Sequence, residues 1–174
     1  MSIKIVPLIE AIPNSGYDSN KRRSSLLAHA GVAYLEAYEA MSNLPEKGFA
    51  VHFVELPLLH MTLELLIKAY VSWIDDSFDP KKRAYRHCTK KIIEDYADKI
   101  NEFSLIKNNP EKIALIEQLE KAWRYLRYGE STLTCERKDL HMAKDLAIEL
   151  AEAYHKATGL RFFSHHFSQK GAKR

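Results

Sequence analysis

The segment Phe49 to Ile74 constrains this chain most. It carries apolar residues on nearly every side of a helix, and a helix that is apolar all round belongs in the middle of a bundle. Its uncharged stretch, Leu56 to Leu63, is far short of the roughly 20 residues a membrane-spanning helix needs, so an integral membrane protein is not expected. Pro57 is expected to kink it. With only six Gly and six Pro in 174 residues, the remainder should form long helices joined by short loops.

Periodicity and capping signals place those helices. Leu27, Ala30, Tyr34, Tyr38 and Met41 share one face of a first helix, expected over about Ser24 to Met41 and ended by the Pro45 segment. Asp79 and Pro80 read as a helix start, a carboxylate cap followed by a residue whose missing amide costs nothing in the first turn. A third helix should then run to about Ile100, with Cys88, Ile92, Tyr96 and Ile100 or Phe103 inward. Asn109 and Pro110 repeat the signal for a fourth, burying Ile116, Leu119, Trp123 and Leu126 and ending in the loop that holds Gly129. Leu140, Ala143, Ala147, Leu150 and Tyr154 line a fifth, between Cys135 and Thr158, with Gly159 as its stop. The expected architecture is all-α: an antiparallel up-and-down bundle of about five helices over residues 19–160. An apolar arm, residues 1–18, precedes it, and a basic tail, residues 161–174, is expected to fray.

Composition narrows the function classes. At 46% hydrophobic and 28% charged, the chain reads as an ordinary globular domain. A net charge of +3 excludes a bulk polycation, so any nucleic-acid footprint must be local. Cys88 and Cys135 each lack a second cysteine nearby, which encodes neither a zinc knuckle nor a disulfide framework. Met1 to Ile12 carries Lys4 and Glu10 among its apolar residues and no small-residue cleavage site, so no secretory signal is read and the expected location is the cytoplasm.

A few charged residues could carry chemistry. His60, Glu64 and Lys68 are spaced by four and stack along one edge of the central helix. They read either as a solvent-facing stripe with an ordinary ion pair, worth about 0.3–0.5 kcal/mol, or as a hydrogen-bonded polar seam packed against the first helix or a subunit partner. Lys81, Lys82, Arg83, Arg86, Lys90 and Lys91 follow one another without an intervening acid. Such a cluster suits phosphate recognition, because Lys and Arg neutralise backbone charge and release counterions. The alternative is a solvated helix edge balanced by Asp75, Asp76 and Asp79. Lys21, Arg22 and Arg23 form a smaller cluster.

Among eight histidines, only Glu152 with His155 has the Glu-x-x-His spacing that a di-iron bundle needs twice over, so neither a metal nor another cofactor is expected. No phosphate-cradling glycine loop and no serine or cysteine nucleophile motif is present.

The segment LLHMTLELLIKAY, with His60, Glu64, Lys68 and Ala69, resembles the signature helix of the HEPN family, the higher-eukaryote and prokaryote nucleotide-binding helical domain. His87 at the head of the third helix, the turn YLRYGE with Tyr125, Arg127 and Tyr128, and a final helix through Ala143, Ala147 and Ala151 extend the likeness over roughly Ser24 to Thr158. The resemblance implies an antiparallel helical bundle, commonly a homodimer, found in toxin and antitoxin pairs, in phage-abortive systems and beside small nucleotidyltransferases. Many members are metal-independent endoribonucleases that pair an arginine with a histidine roughly one to two helical turns later, the cation holding phosphate charge and the imidazole moving a proton. Here Arg127 is followed at that distance by Thr132, Leu133 and Thr134, and Arg23 with His29 or Arg161 with His166 have the spacing but the wrong place. The leading expectation is therefore a non-catalytic module binding nucleotide or RNA through the Lys81 to Lys91 cluster and Arg127, with His87 as a further candidate. A HEPN-type endoribonuclease and a structural partner subunit without a ligand are the alternatives.

Overall fold

The computed structural model describes residues 19–44, 49–128 and 136–160. They form α1 (Ser19–Ser42), α2 (Phe49–Ile74), α3 (Thr89–Tyr96), α4 (Asn101–Lys107), α5 (Pro110–Tyr128) and α6 (Arg137–Thr158), with a 3-10 turn at Arg83–Tyr85 and no strand among the described residues. The result is an all-helical bundle with α2 as its axis, on which α1, α3, α5 and α6 all pack. Leu59, Leu63, Leu66, Ile67 and Val71 of α2 are fully enclosed, as a rod apolar on all sides requires. Both ends of α2 match the expected ones, and Pro57 lies inside it. No described helix is long and apolar enough to cross a membrane.

The buried face of α1 differs from the expected one. It consists of Ser24, Ser25, Ala28, Gly31, Val32, Leu35 and Tyr38, so of the expected set only Tyr38 is buried. Tyr34 is exposed. Small side chains explain the shift, because they let α1 approach α2 closely. A methyl group on Gly31 would come within 3.1 Å of Leu66 Cγ and 3.2 Å of the Thr62 carbonyl oxygen. The Ser24 hydroxyl donates to the Ala69 carbonyl at 2.6 Å and pairs with the Tyr154 hydroxyl at 2.7 Å. Large apolar residues mark a helix face by hydrophobicity; here the contact is made by residues that hydrophobicity ranks low.

The expected third helix is broken twice. Asp79 does act as a cap, but of a turn: its Oδ1 accepts the Lys81 N–H at 2.9 Å and its carbonyl accepts the Lys82 N–H at 3.1 Å. The chain then enters the 3-10 turn and passes through His87 at φ 55°, a left-handed conformation that cannot continue a right-handed helix. Helix α3 begins only at Thr89, which moves Cys88 from the expected interior stripe to the cap position. A second break, Ala97 to Ile100, separates α3 from α4 and gives six α-helices among the described residues where five were expected.

Beyond Pro80 at the start of the first, neither break carries a Gly or Pro. Contacts to α2 and its C-terminal end accompany both: His87 with Glu64, Tyr96 donating to Asp75 at 2.8 Å, Tyr70 donating to Glu102 at 3.2 Å, and Phe103 edge-on to Tyr70 at 5.8 Å. Ile92, Tyr96, Ile100 and Phe103 are buried, as expected.

Helix α5 starts where Asn109 and Pro110 place it, with Asn109 Oδ1 accepting the Glu111 and Lys112 N–H groups at 3.0 and 3.1 Å. Ile116 and Leu119 are buried and Trp123 is half-buried. A Glu136–Asp139 capping box opens α6, Ala143, Ala147, Leu150 and Tyr154 face inward, and Gly159 at φ 69° closes it. The N-terminal arm, the C-terminal tail, Cys135 and the side chains of Tyr125, Leu126, Arg127 and Tyr128 lie outside the described residues.

Candidate functional site

Two groups of charged residues have different fates in the fold. The first, His60, Glu64 and Lys68, is buried at 2, 3 and 6% exposure, which overturns the solvent-facing reading. Its partners are His87, just before α3, and Trp123 on α5, whereas α1 packs on the Thr62, Leu66 and Ala69 side of the same helix. The Lys68 ammonium donates to Glu64 Oε1 at 2.5 Å. The other carboxylate oxygen, Oε2, accepts from His87 Nδ1 at 2.9 Å. His60 Nε2 also lies 3.2 Å from Oε2, but the direction is wrong for its ring N–H, and it is a buried nitrogen without a hydrogen bond.

The electrostatics follow from this packing. Burial pushes the Glu64 carboxyl up, yet the contacts from His60, Lys68 and His87 and the Lys68 charge together override it and hold the group well below the usual carboxylate range. The seam is therefore a buried ion pair whose carboxylate is shared with histidine. With Glu64 as acceptor, His87 keeps its proton on Nδ1.

His87 joins the seam to the surface. Its side chain is 28% exposed, and it is the one non-glycine residue at positive φ among the described residues. A conformation of this kind costs on the order of 1–3 kcal/mol, and such outliers cluster at sites where surrounding contacts enforce them. Here the enforcing contacts are the Glu64 bond and the Trp123 indole, 5.6 Å from both imidazole rings between centroids and nearly parallel to that of His60.

The second group, the basic segment, is divided by the same break. Lys90 and Lys91 lie on α3 and are paired: Lys90 with Glu117 at 2.5 Å and Glu94 at 3.7 Å, Lys91 with Asp95 at 3.1 Å. Lys81, Lys82, Arg83 and Arg86 stay on the turn, all exposed, and none has a carboxylate within 4.0 Å among the described residues. Lys82 instead sits over the Tyr85 ring at 5.6 Å. The balancing role expected of Asp75, Asp76 and Asp79 fails for a local reason, with the Asp76 carboxylate accepting from the Asn20 amide at 3.5 Å. Asp79 is occupied by the Lys81 amide, and Asp75 by Ser77, Tyr96 and Lys99.

Sequence reasoning missed three residues of α5 that shape this region. Glu117 neutralises Lys90, and Trp123, expected in the core, covers both histidines. Glu120 is buried and accepts the Lys90 N–H at 2.9 Å, capping the first turn of α3. Burial pushes the Glu120 carboxyl up; the Lys90 amide, His60, Arg124 and the Thr89 amide offset this only in part. The available signal was spacing, since Glu117, Glu120 and Trp123 recur at three-residue steps beside the buried Ile116 and Leu119.

The pair Glu152 and His155 does not join a site: His155 Nδ1 bonds the Leu160 carbonyl at the end of α6. No protein-family model, no curated protein and no solved structure matches this chain.

Proposed function

We propose that the chain is a non-catalytic, HEPN-like helical module that binds nucleotide or RNA through phosphate contacts from Lys81, Lys82, Arg83 and Arg86. The observation that carries this reading is that those four cations, grouped on one turn, have no carboxylate partner among the described residues while Lys90 and Lys91 beside them are paired. Cations not engaged by local carboxylates can exchange small counterions for phosphate oxygens. Lys90, Lys91 and Arg127 are assigned a supporting part. The module acts as a cytoplasmic homodimer, alongside a small nucleotidyltransferase or an antitoxin.

Labelled single-stranded RNA titrated at several salt concentrations tests the binding. Log affinity should fall against log salt by about 0.7 per contact, and so by about 3 for four contacts. A flat response, or affinity unchanged in the Arg83→Glu/Arg86→Glu variant, refutes it. Light scattering at micromolar concentration tests the dimer, and a monomer refutes that part.

One observation favours a metal-independent endoribonuclease instead: His87 is an imidazole oriented by a buried carboxylate and placed next to Arg86, which is how a general base is held beside a phosphate-binding cation. Incubation with labelled RNA in excess chelator separates the readings. The module leaves the RNA intact; cleavage that His87→Asn abolishes, with helicity retained in circular dichroism, establishes the nuclease.

A further inference from the structure

We propose that His60, Glu64 and His87 form a binding site for one divalent transition-metal ion of the zinc type. One nitrogen from each imidazole and one carboxylate oxygen lie within 4.8 Å of one another. Two imidazoles with one carboxylate are a donor set that zinc takes, with a fourth position left for water. Tetrahedral ligands at bond lengths of about 2.1 Å stand roughly 3.4 Å apart. The two nitrogens approach Glu64 Oε2 at 2.9 and 3.2 Å, so each of these separations needs to open by only a few tenths of an ångström to admit the ion, and the two nitrogens lie within 4.8 Å of each other.

Independent of that convergence is the state of His60. Its Nε2 is almost completely buried, 3.2 Å from Glu64 Oε2 and without a hydrogen bond, although a buried ring nitrogen left in this way costs stability. A metal ion would give that nitrogen its partner.

The support is also that of a built site. His60 and Glu64 come from successive turns of the most enclosed helix, and His87 reaches them from a backbone held at φ 55°. Lys68 occupies Oε1; on Oε2 the ion would take the place of the His87 N–H, whose proton moves from Nδ1 to Nε2. A cation so close lowers the affinity for a dication and favours a negatively charged fourth ligand, such as hydroxide.

The test uses the full chain, freed of metal by chelator and titrated with cobalt(II) as a spectroscopic stand-in for zinc. The proposal expects one equivalent per chain with the visible absorption of a four- or five-coordinate ion, displaced by zinc. Absence of stoichiometric binding by the parent protein overturns it. His87→Asn, whose backbone tolerates positive φ, keeps the fold testable by circular dichroism and should weaken binding by more than about tenfold; His60→Ala should do the same. The His165→Ala/His166→Ala variant should bind as the parent does. Full binding by His87→Asn, or loss in the tail variant, also overturns the assignment. No RNA or nucleotide enters this titration, so its outcome is separate from that of the proposed phosphate binding.

Discussion

The seam on α2 and the turn at Lys81–Arg86 are both charged, and the fold treats them in opposite ways. The seam lies on a rod enclosed on all sides, so its polar atoms must satisfy one another, and Glu64 does so with Lys68 and His87. The turn lies at the edge of the bundle, where water solvates its cations and no carboxylate engages them among the described residues. Charge in a sequence therefore says little until the covering of each residue is known. A buried charge must bind its neighbours; an exposed one can pair, as Lys91 does with Asp95, or stay open to a ligand, as the cations of the turn do among the described residues.

The largest expected effect breaks the seam. Glu64→Ala leaves Lys68 buried beside two histidines without a carboxylate and should cost about 3–5 kcal/mol in urea unfolding. Replacing both members, Glu64→Leu with Lys68→Met, should recover most of that loss, because the penalty belongs to the unpaired charge. If the double variant is no better than the single one, His60 and His87 matter more to the seam than the ion pair. Next in size is an uncharged change on the opposite side of α2. Gly31→Ala should cost about 1–3 kcal/mol, since the Thr62 carbonyl cannot retreat without moving the helix. It measures how much of the sensitivity of α2 is close packing.

The pH profile sharpens the comparison within the buried region. Glu64 is held below its ordinary value of 4.5, so its contribution to stability is full above that pH and is lost as pH falls further. Glu120 is shifted up, so its contribution is present below 4.5 and is lost as pH rises through its raised value. Thermal melts from pH 3 to 7 should show Glu64→Gln losing part of the acid sensitivity and Glu120→Gln changing the profile in the opposite sense. The smallest effect belongs to the turn: Arg83→Glu/Arg86→Glu should leave the melting temperature unchanged while removing RNA binding. A large loss of stability there would mean that the turn is part of the packed structure.

How much of this was legible in the sequence depended on the range of the interaction. The bounds of α2, the Asn109–Pro110 start and the Gly159 stop rest on periodicity and local caps, which act within a few residues. The spacing of His60, Glu64 and Lys68 was equally plain, but spacing shows which residues share an edge and not what covers it. The arrival of His87 from 23 residues away and the capping of α3 by Glu120 from 30 residues away have no local signature. The breaks around α3 were hidden for the same reason. Every residue there is compatible with helix, and contacts to α2 and its C-terminal end set the bends. The face of α1 was misread because Gly31 and Ser24 bury through fit rather than through hydrophobicity.

Position 87 passes two unrelated filters. Its φ of 55° admits Gly, Asn, Asp and His far more readily than branched or bulky residues. Its contact with Glu64 requires a side chain that donates a hydrogen bond, which removes Gly and ionised Asp. Only His and Asn remain, and of these only His brings a ring to lie against Trp123. In a saturation library selected for folding alone, this half-buried loop position should be among the least tolerant in the chain, below many sites in the apolar core where one aliphatic side chain can replace another.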